Sequence, residues 1–138
     1  MNVLKIMLNS NPLMNREKQI LLSLLQQAGY NCADIYFFWC DSFTSENGIL
    51  GAYIPEKKNN IYLQKGFFPI YSDSIIHDYL LNLLSTVCHE LTHRKQYIKN
   101  PLTYRIKCIP YIRQLTIEPE ARGEELRIEK LIKKGQIK

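Results

Sequence analysis

A long helix near the middle of the chain is the feature that most constrains the fold. Residues 75–88 contain no glycine or proline, and their apolar side chains recur three or four positions apart, as on the buried side of an amphipathic helix. We predict a helix from about residue 74 to residue 99, with Asp73 or Ser74 as its N-cap and Asn100-Pro101 as its end. The apolar positions of this helix are Ile76, Leu80, Leu83, Leu84, Val87 and Leu91.

Two of the three histidines lie in this helix in the pattern His-Glu-x-x-His. His89 and His93 are four residues apart, so both imidazoles project from one helix face and can reach a single tetrahedral metal ion. Glu90 lies about 100° round the helix from His89, where its carboxylate can reach water at the metal without being a ligand. The pattern predicts a Zn²⁺ site with Glu90 as general base. A buried helix that carries these side chains without a metal is the alternative interpretation.

A zinc site with two histidines needs a third protein ligand, which should come from a different element. His77 lies about three turns earlier on the same helix, too far along its axis to share the metal. The acidic segment 117–125 offers Glu118 and Glu120, which lie on opposite shoulders of the apolar stripe of a predicted last helix, so periodicity does not choose between them. Acids at the start of that helix also suit its dipole. The stripe consists of Ile117, Ala121, Ile128, Leu131 and Ile132.

Composition limits the class of protein. With 138 residues, 46% of them hydrophobic, we predict one domain over residues 1–138. The net charge of +5 is dispersed along the chain, which makes nucleic acid an unlikely partner. The start of the chain has too short an apolar run for a signal peptide and no segment could span a membrane, so we expect a cytoplasmic monomer without a membrane partner. The four cysteines form no C-x-x-C pair, and we expect them to be reduced and mostly buried: Cys32, Cys40, Cys88 and Cys108.

The rest of the chain predicts an α+β fold. We expect a helix that starts near Arg16, with Asn15 as its cap, and stops at Gly29, then a buried strand over residues 33–39. A polar turn region over residues 41–48 should lead into a hairpin of residues 49–54 and 61–64. An irregular segment, residues 66–72, precedes the long helix, and a connector containing Pro101 and Pro110 follows it. The small sheet, with its antiparallel pair, should pack on the motif helix, and the last helix should start near Ile117 and carry the third ligand.

Three pieces of the sequence together resemble a gluzincin, a zinc metallopeptidase with His-Glu-x-x-His and a distal glutamate. They are residues 87–93, residues 118–121 and the hairpin, and the resemblance covers about residues 48–126. Several gluzincin families place the metal-binding glutamate three residues before an alanine, which favours Glu118. They often carry an aspartate four residues after the ligand, where this chain has Arg122. The alternative alignment makes Glu120 the ligand, followed four residues later by Glu124.

The resemblance implies a minimal zincin-like domain that hydrolyses peptide bonds in a peptide or protein substrate. His89, His93 and Glu118 would bind zinc, and Glu90 would take a proton from water and pass it to the leaving amine. An extended substrate could pair with an edge offered by the strand at residues 61–63. A further donor would stabilise the oxyanion. The candidates for this donor are three tyrosines that follow the motif: Tyr97, Tyr104 and Tyr111.

A non-proteolytic module that binds metal or nucleic acid on the same scaffold is the alternative function. The overall basic charge favours it, as do Arg94 and Lys95 directly after the motif, where many metallopeptidases have uncharged residues.

Overall fold

The structure, a computed structural model, describes residues 3–41, 43, 49–65 and 72–138. These residues form an α+β fold of six α-helices and a mixed four-stranded sheet. In chain order the elements are α1 (Val3–Leu8), β1 (Ser10–Pro12), α2 (Asn15–Gln27), β2 (Tyr36–Cys40), β3 (Gly51–Tyr53), β4 (Asn60–Gln64), α3 (Asp73–Lys99), α4 (Pro101–Lys107), α5 (Pro110–Thr116) and α6 (Glu118–Lys133). A 3₁₀ turn, Pro55–Lys57, joins β3 to β4.

The strands lie in the order β1-β2-β4-β3. β1 runs antiparallel to β2, β2 runs parallel to β4, and β3 runs antiparallel to β4. The hairpin predicted from the sequence is therefore confirmed. β4 reads as a continuous apolar run in which Ile61, Tyr62 and Leu63 are all buried, as expected of a strand covered on both faces.

The sheet order corrects one expectation. Residues 61–63 do not offer an edge to a substrate, because β4 is paired with β2 on one side and β3 on the other. Within the described part of the chain, β3 pairs with β4 alone and is the outer strand on this side. The sequence pattern could not give this order, since the parallel pairing of β2 with β4 joins strands that are not neighbours in the hairpin.

Helix α3 is the centre of the molecule. It packs against α2, α4 and α6 and against strands β3 and β4. All six apolar positions predicted for its inner face are buried. On α6, Ile117, Ala121 and Ile128 of the predicted stripe are buried, and Leu131 and Ile132 pack partly buried against the same core.

The ends of α2 and α3 and the start of α6 agree with the sequence prediction to within two residues, but the caps differ. Ser72 caps α3, and its hydroxyl accepts the backbone N–H of Ile75 at 3.3 Å. α2 begins at Asn15 after Met14, whose N–H donates to the Glu17 carboxylate at 2.8 Å. That carboxylate is buried and also accepts the Trp39 indole N–H at 3.1 Å, a long-range contact that helix-capping patterns do not contain.

The segment predicted as a connector after α3 is helical, and this prediction was wrong. Each of its prolines opens a short helix, Pro101 in α4 and Pro110 in α5, because proline lacks only an N–H that the first turn leaves unbonded anyway. Asn100 both ends α3 and caps α4, accepting the Thr103 N–H at 3.1 Å. The N-terminal α1 and β1 were also not predicted.

The structure tests several other predictions only in part. Cys32, Cys40 and Cys88 are buried thiols, and Cys108 is half-buried. The predicted polar turn at 41–48 and the irregular segment at 66–72 lie mostly outside the described residues. Among the helices that the structure describes, none combines the length and apolar content needed to cross a membrane.

Candidate metal centre

The structure brings the two motif histidines and one of the two glutamates considered from the sequence into a single cluster. His89, His93 and Glu118 each offer one ligand atom, and these atoms all lie within 4.8 Å of one another. His93 Nε2 is 2.6 Å from Glu118 Oε1, and His89 Nε2 is 3.6 Å from Glu118 Oε2. α3 supplies the imidazoles and the first residue of α6 supplies the carboxylate. The cluster thus joins two elements, as a metal site on two histidines requires.

The tautomer of His93 follows from its neighbour Gln96. The Gln96 amide nitrogen donates to the carbonyl of Ile117 at 2.9 Å and to Glu120 Oε1 at 3.0 Å. These two acceptors fix the amide so that its oxygen faces His93 Nδ1, 2.9 Å away. Because that oxygen only accepts, Nδ1 must carry the proton. His93 Nε2 therefore presents a lone pair to Glu118, which is the form of histidine that binds a metal.

His89 is flanked by a second carboxylate. Its Nδ1 lies 3.0 Å from Glu125 Oε1, although that contact is not a hydrogen bond and Nδ1 has no hydrogen-bond partner within the described part of the chain. The ring of His89 meets that of His93 edge to face, with centroids 5.0 Å apart. A carboxylate beside the nitrogen remote from the metal is the arrangement that orients histidine ligands in many metal sites.

The donor set fits a cation. Glu118 Oε1 is buried and accepts no hydrogen bond from the residues that the structure describes, yet it lies 2.6 Å from His93 Nε2. Two lone-pair atoms at that separation repel each other unless a positive charge lies against both. In this structure the charge comes from Arg113 of α5, whose Nη2 is 3.2 Å from His93 Nε2 and 3.1 Å from Glu118 Oε1. Two nitrogens and a carboxylate oxygen are also a typical zinc donor set.

Burial and charge set the protonation states that a metal needs. Burial lowers the pKa of His93 to about 4, so its imidazole is neutral at pH 7. Burial alone would raise the pKa of Glu118, but nearby positive charge, which the guanidinium of Arg113 supplies in this structure, holds the pKa below its ordinary value. A neutral imidazole and an ionised carboxylate are the forms that bind metals.

Glu90 lies beside the cluster and outside it. It borders a cleft of about 490 Å³ together with His89, Arg113, Glu118 and strand β3. Its pKa is raised to about 8, chiefly by burial, with Arg113 lowering it and the neighbouring Glu118 and Glu125 raising it to a smaller extent. A carboxyl group whose pKa is moved toward neutrality by burial, next to an opposite charge in a cleft, is typical of a functional site.

Strand β3 approaches α3 closely at this cleft because position 51 is glycine. A Cβ built on Gly51 would lie 2.9 Å from Thr86 Cγ2 and 3.3 Å from Glu90 Cγ. Contacts that short force a neighbour to move. The absence of a side chain at Gly51 therefore lets the outer strand of the sheet lie directly over the general base predicted from the sequence.

The remaining residues considered from the sequence lie elsewhere. Glu120 is not in the cluster and accepts from Gln96, and Glu124 pairs with Arg127 of its own helix. The predicted tyrosine donors are not among the residues that border the cleft. Tyr104 is buried with its ring 6.2 Å from that of His93, whereas Tyr111 is 78% exposed.

The cleft is not the largest cavity of the described structure. A cavity of about 520 Å³ lies against the other side of α3, bordered by Arg94, Lys95 and Arg127 and by Glu120 and Glu124. Its positive and negative side chains are mixed, and none of the three ligand atoms faces it. The smaller cleft is the candidate site, because His89 and Glu118 of the possible metal-binding group border it.

Sequence reasoning missed three residues of this site. Glu125 follows Glu118 by seven residues, two helical turns, so the helical repeat could have placed it on the same face. Gln96 follows His93 by three residues and could have been found in the same way. No such spacing pointed to Arg113. It lies on α5, in the segment that its prolines led us to predict as a connector without helices.

Comparison with known proteins gives no match: no family model, curated protein or solved structure is similar to this chain.

Proposed function

We propose that this chain is a zinc-dependent metallopeptidase of the gluzincin type, with His89, His93 and Glu118 as metal ligands and Glu90 as general base. The observation that carries the proposal is the buried pair of lone-pair atoms, His93 Nε2 and Glu118 Oε1, held 2.6 Å apart with Glu90 in the adjoining cleft. Bound zinc would supply Lewis-acid chemistry, polarising water and the carbonyl that the water attacks.

Glu90 suits proton transfer in this cleft. Its carboxylate is 7% exposed, so it is shielded from bulk water while bordering the cavity in which a substrate would lie. It accepts the proton of the attacking water and delivers that proton to the leaving nitrogen. With a pKa of about 8 the group is largely protonated at pH 7, although Arg113 lowers that pKa. The positive charge of a bound metal would lower it further and favour the ionised, accepting form.

Strand β3 is the element on which an extended peptide would lie. Its residues 51–53 pair with β4 along one side and border the cleft. An added antiparallel or parallel strand on the other side would be held by main-chain hydrogen bonds, a mode of binding that depends little on substrate sequence. The substrate class is accordingly an unfolded or extended segment of polypeptide.

The test is cleavage of a denatured protein by the zinc-loaded chain. Reduced and alkylated lysozyme is a suitable probe, and Glu90→Gln should lower the rate by about 10²–10⁴-fold while zinc is retained. Glu120→Gln is the matched control, since it also removes one carboxylate near the site but leaves the proposed ligands and base intact. Cleavage that is equal in the wild-type and Glu90→Gln proteins would refute this mechanism.

A second interpretation has one specific observation in its favour. The guanidinium of Arg113 already neutralises Glu118 and donates to His93, so the cluster could be a structural ion pair that needs no metal. The two interpretations differ in metal linkage, because an ion bound only to the native state stabilises it by about 2.7 kcal/mol at a hundredfold excess over Kd. A melting temperature that zinc does not change would favour the structural ion pair.

A further inference from the structure

Arg113 is the only Lys or Arg among the described residues that border the cleft. It lies in α5, and its side chain is 31% exposed. Nη2 contacts His93 Nε2 at 3.2 Å and Glu118 Oε1 at 3.1 Å, while Nη1 lies 3.6 Å from the thiol of Cys108. The guanidinium therefore bridges two of the three proposed metal ligands.

A metal ion would need the same two atoms. The hydrogen bonds of Gln96 leave His93 Nε2 with a single lone pair, and here that lone pair accepts from Arg113. An imidazole nitrogen cannot give one lone pair to both a metal and an N–H donor. Repulsion between the two positive charges acts in the same direction. Metal binding must therefore displace the guanidinium from His93.

We propose that Arg113 is the oxyanion donor of this cleft, and that metal binding frees it for this task. The proposal rests on the proposed function. Once displaced, the guanidinium remains tethered to α5 beside Glu90 and β3, where the carbonyl of a bound peptide would lie. Its planar set of N–H donors suits an oxygen that gains negative charge.

The tyrosine that borders the cleft is already engaged. Tyr53 lies at the cavity, but its hydroxyl donates to the carbonyl of Lys58 at 3.0 Å. The tyrosines expected from the sequence do not reach the cleft. Arg113 therefore takes the role that the sequence pattern assigned to a tyrosine.

The first experiment measures zinc affinity by competition with a chromogenic chelator for the wild-type protein, Arg113→Gln and a control, Arg122→Gln. Arg122 is a cation of α6 that donates to Gln114 at 3.0 Å and is not among the described residues that border the cleft. Removing the competing charge should tighten zinc binding by about tenfold or more in Arg113→Gln alone. Equal or weaker zinc binding by Arg113→Gln would overturn the proposal. Wild-type protein that binds no zinc would instead overturn the proposed function.

The second experiment measures binding of N-phosphoryl-leucinamide, whose phosphoryl group resembles the tetrahedral oxyanion of an attacked peptide carbonyl, to zinc-saturated protein. Arg113→Gln should bind it about 10²-fold more weakly than wild type. Arg113→Lys, which keeps the charge and loses the planar pair of donors, should fall between them. Binding that is the same in all three zinc-loaded proteins, or absent in the wild type, would overturn the donor role while leaving the zinc site intact.

Discussion

The two halves of helix α3 are buried for different reasons. In the first half, the inner face consists of apolar side chains such as Ile76, Leu80 and Leu84, which are fully buried and need no partner. In the second half, the buried positions include Glu90 and His93, whose polar atoms are expensive to bury unless they are paired. Within one continuous helix, the first half stabilises the fold and the second half holds a polar cluster that metal binding would complete.

This comparison predicts that core and cluster substitutions have separable effects. Leu84→Ala should lower the free energy of unfolding by about 2–5 kcal/mol, because it removes buried methyl groups and leaves a cavity. The folded variant should still bind zinc like the wild type. Urea unfolding and a zinc titration measure the two quantities, and Ile75→Ala, at a 41% exposed position of the same helix, is the control expected to change neither appreciably.

Gly51 is where the sheet meets the polar half of the helix. Gly51→Ala should destabilise the protein by about 1–3 kcal/mol, since the new methyl overpacks the contact with Thr86 and Glu90. Thr86→Ser removes the methyl that the new Cβ would meet first, so the double variant should recover part of the loss. Thermal melts of the four proteins in the cycle test this, and a double variant no more stable than Gly51→Ala would contradict it.

Gln96 acts on the metal site through His93. Gln96→Leu should weaken zinc binding by about 10–100-fold, because His93 loses the acceptor that fixes its tautomer. Glu120→Gln should have a smaller effect, since Gln96 keeps its bond to the carbonyl of Ile117. Isothermal titration gives both values, and a larger loss in Glu120→Gln than in Gln96→Leu would be incompatible with the proposed arrangement.

The smallest expected effect is on the stability of the metal-free protein when Glu90 is neutralised. Glu90→Gln should change the free energy of unfolding by less than about 1 kcal/mol or increase it, because a buried carboxyl group, largely neutral at pH 7 through its raised pKa, is replaced by a neutral amide of similar shape. Chemical unfolding in the presence of a chelator is the measurement. A loss as large as that of Leu84→Ala would mean that Glu90 belongs to the structural half of the helix.

The sequence predicted the parts of the fold and site that depend on local periodicity. The core face of α3, the β3–β4 hairpin and the projection of His89 and His93 from one helix face all follow from residue spacing. Glu118 and Glu120 could not be separated in this way. Their difference depends on the angle at which α6 meets α3, and on Gln96, which engages Glu120 and leaves Glu118 beside His93.

Other features depend on contacts between distant segments. The outer position of β3 follows from the parallel pairing of β2 with β4, and the place of Arg113 follows from two short helices opened by Pro101 and Pro110. Proline indicates the end of one helix and can equally begin the next. The sequence therefore indicated the residues of the His89, His93 and Glu118 cluster better than it indicated the residues around them.

The central claim is that His89, His93 and Glu118 together hold one divalent ion. The most direct measurement is the zinc content of protein purified after metal-replete dialysis, for the wild type, His93→Ala and Glu120→Gln. We predict about one zinc per chain in the wild type and in Glu120→Gln, and none in His93→Ala, since a structural or catalytic zinc site needs at least three protein ligands. Wild-type protein without zinc, or full zinc retention in His93→Ala, would contradict the claim.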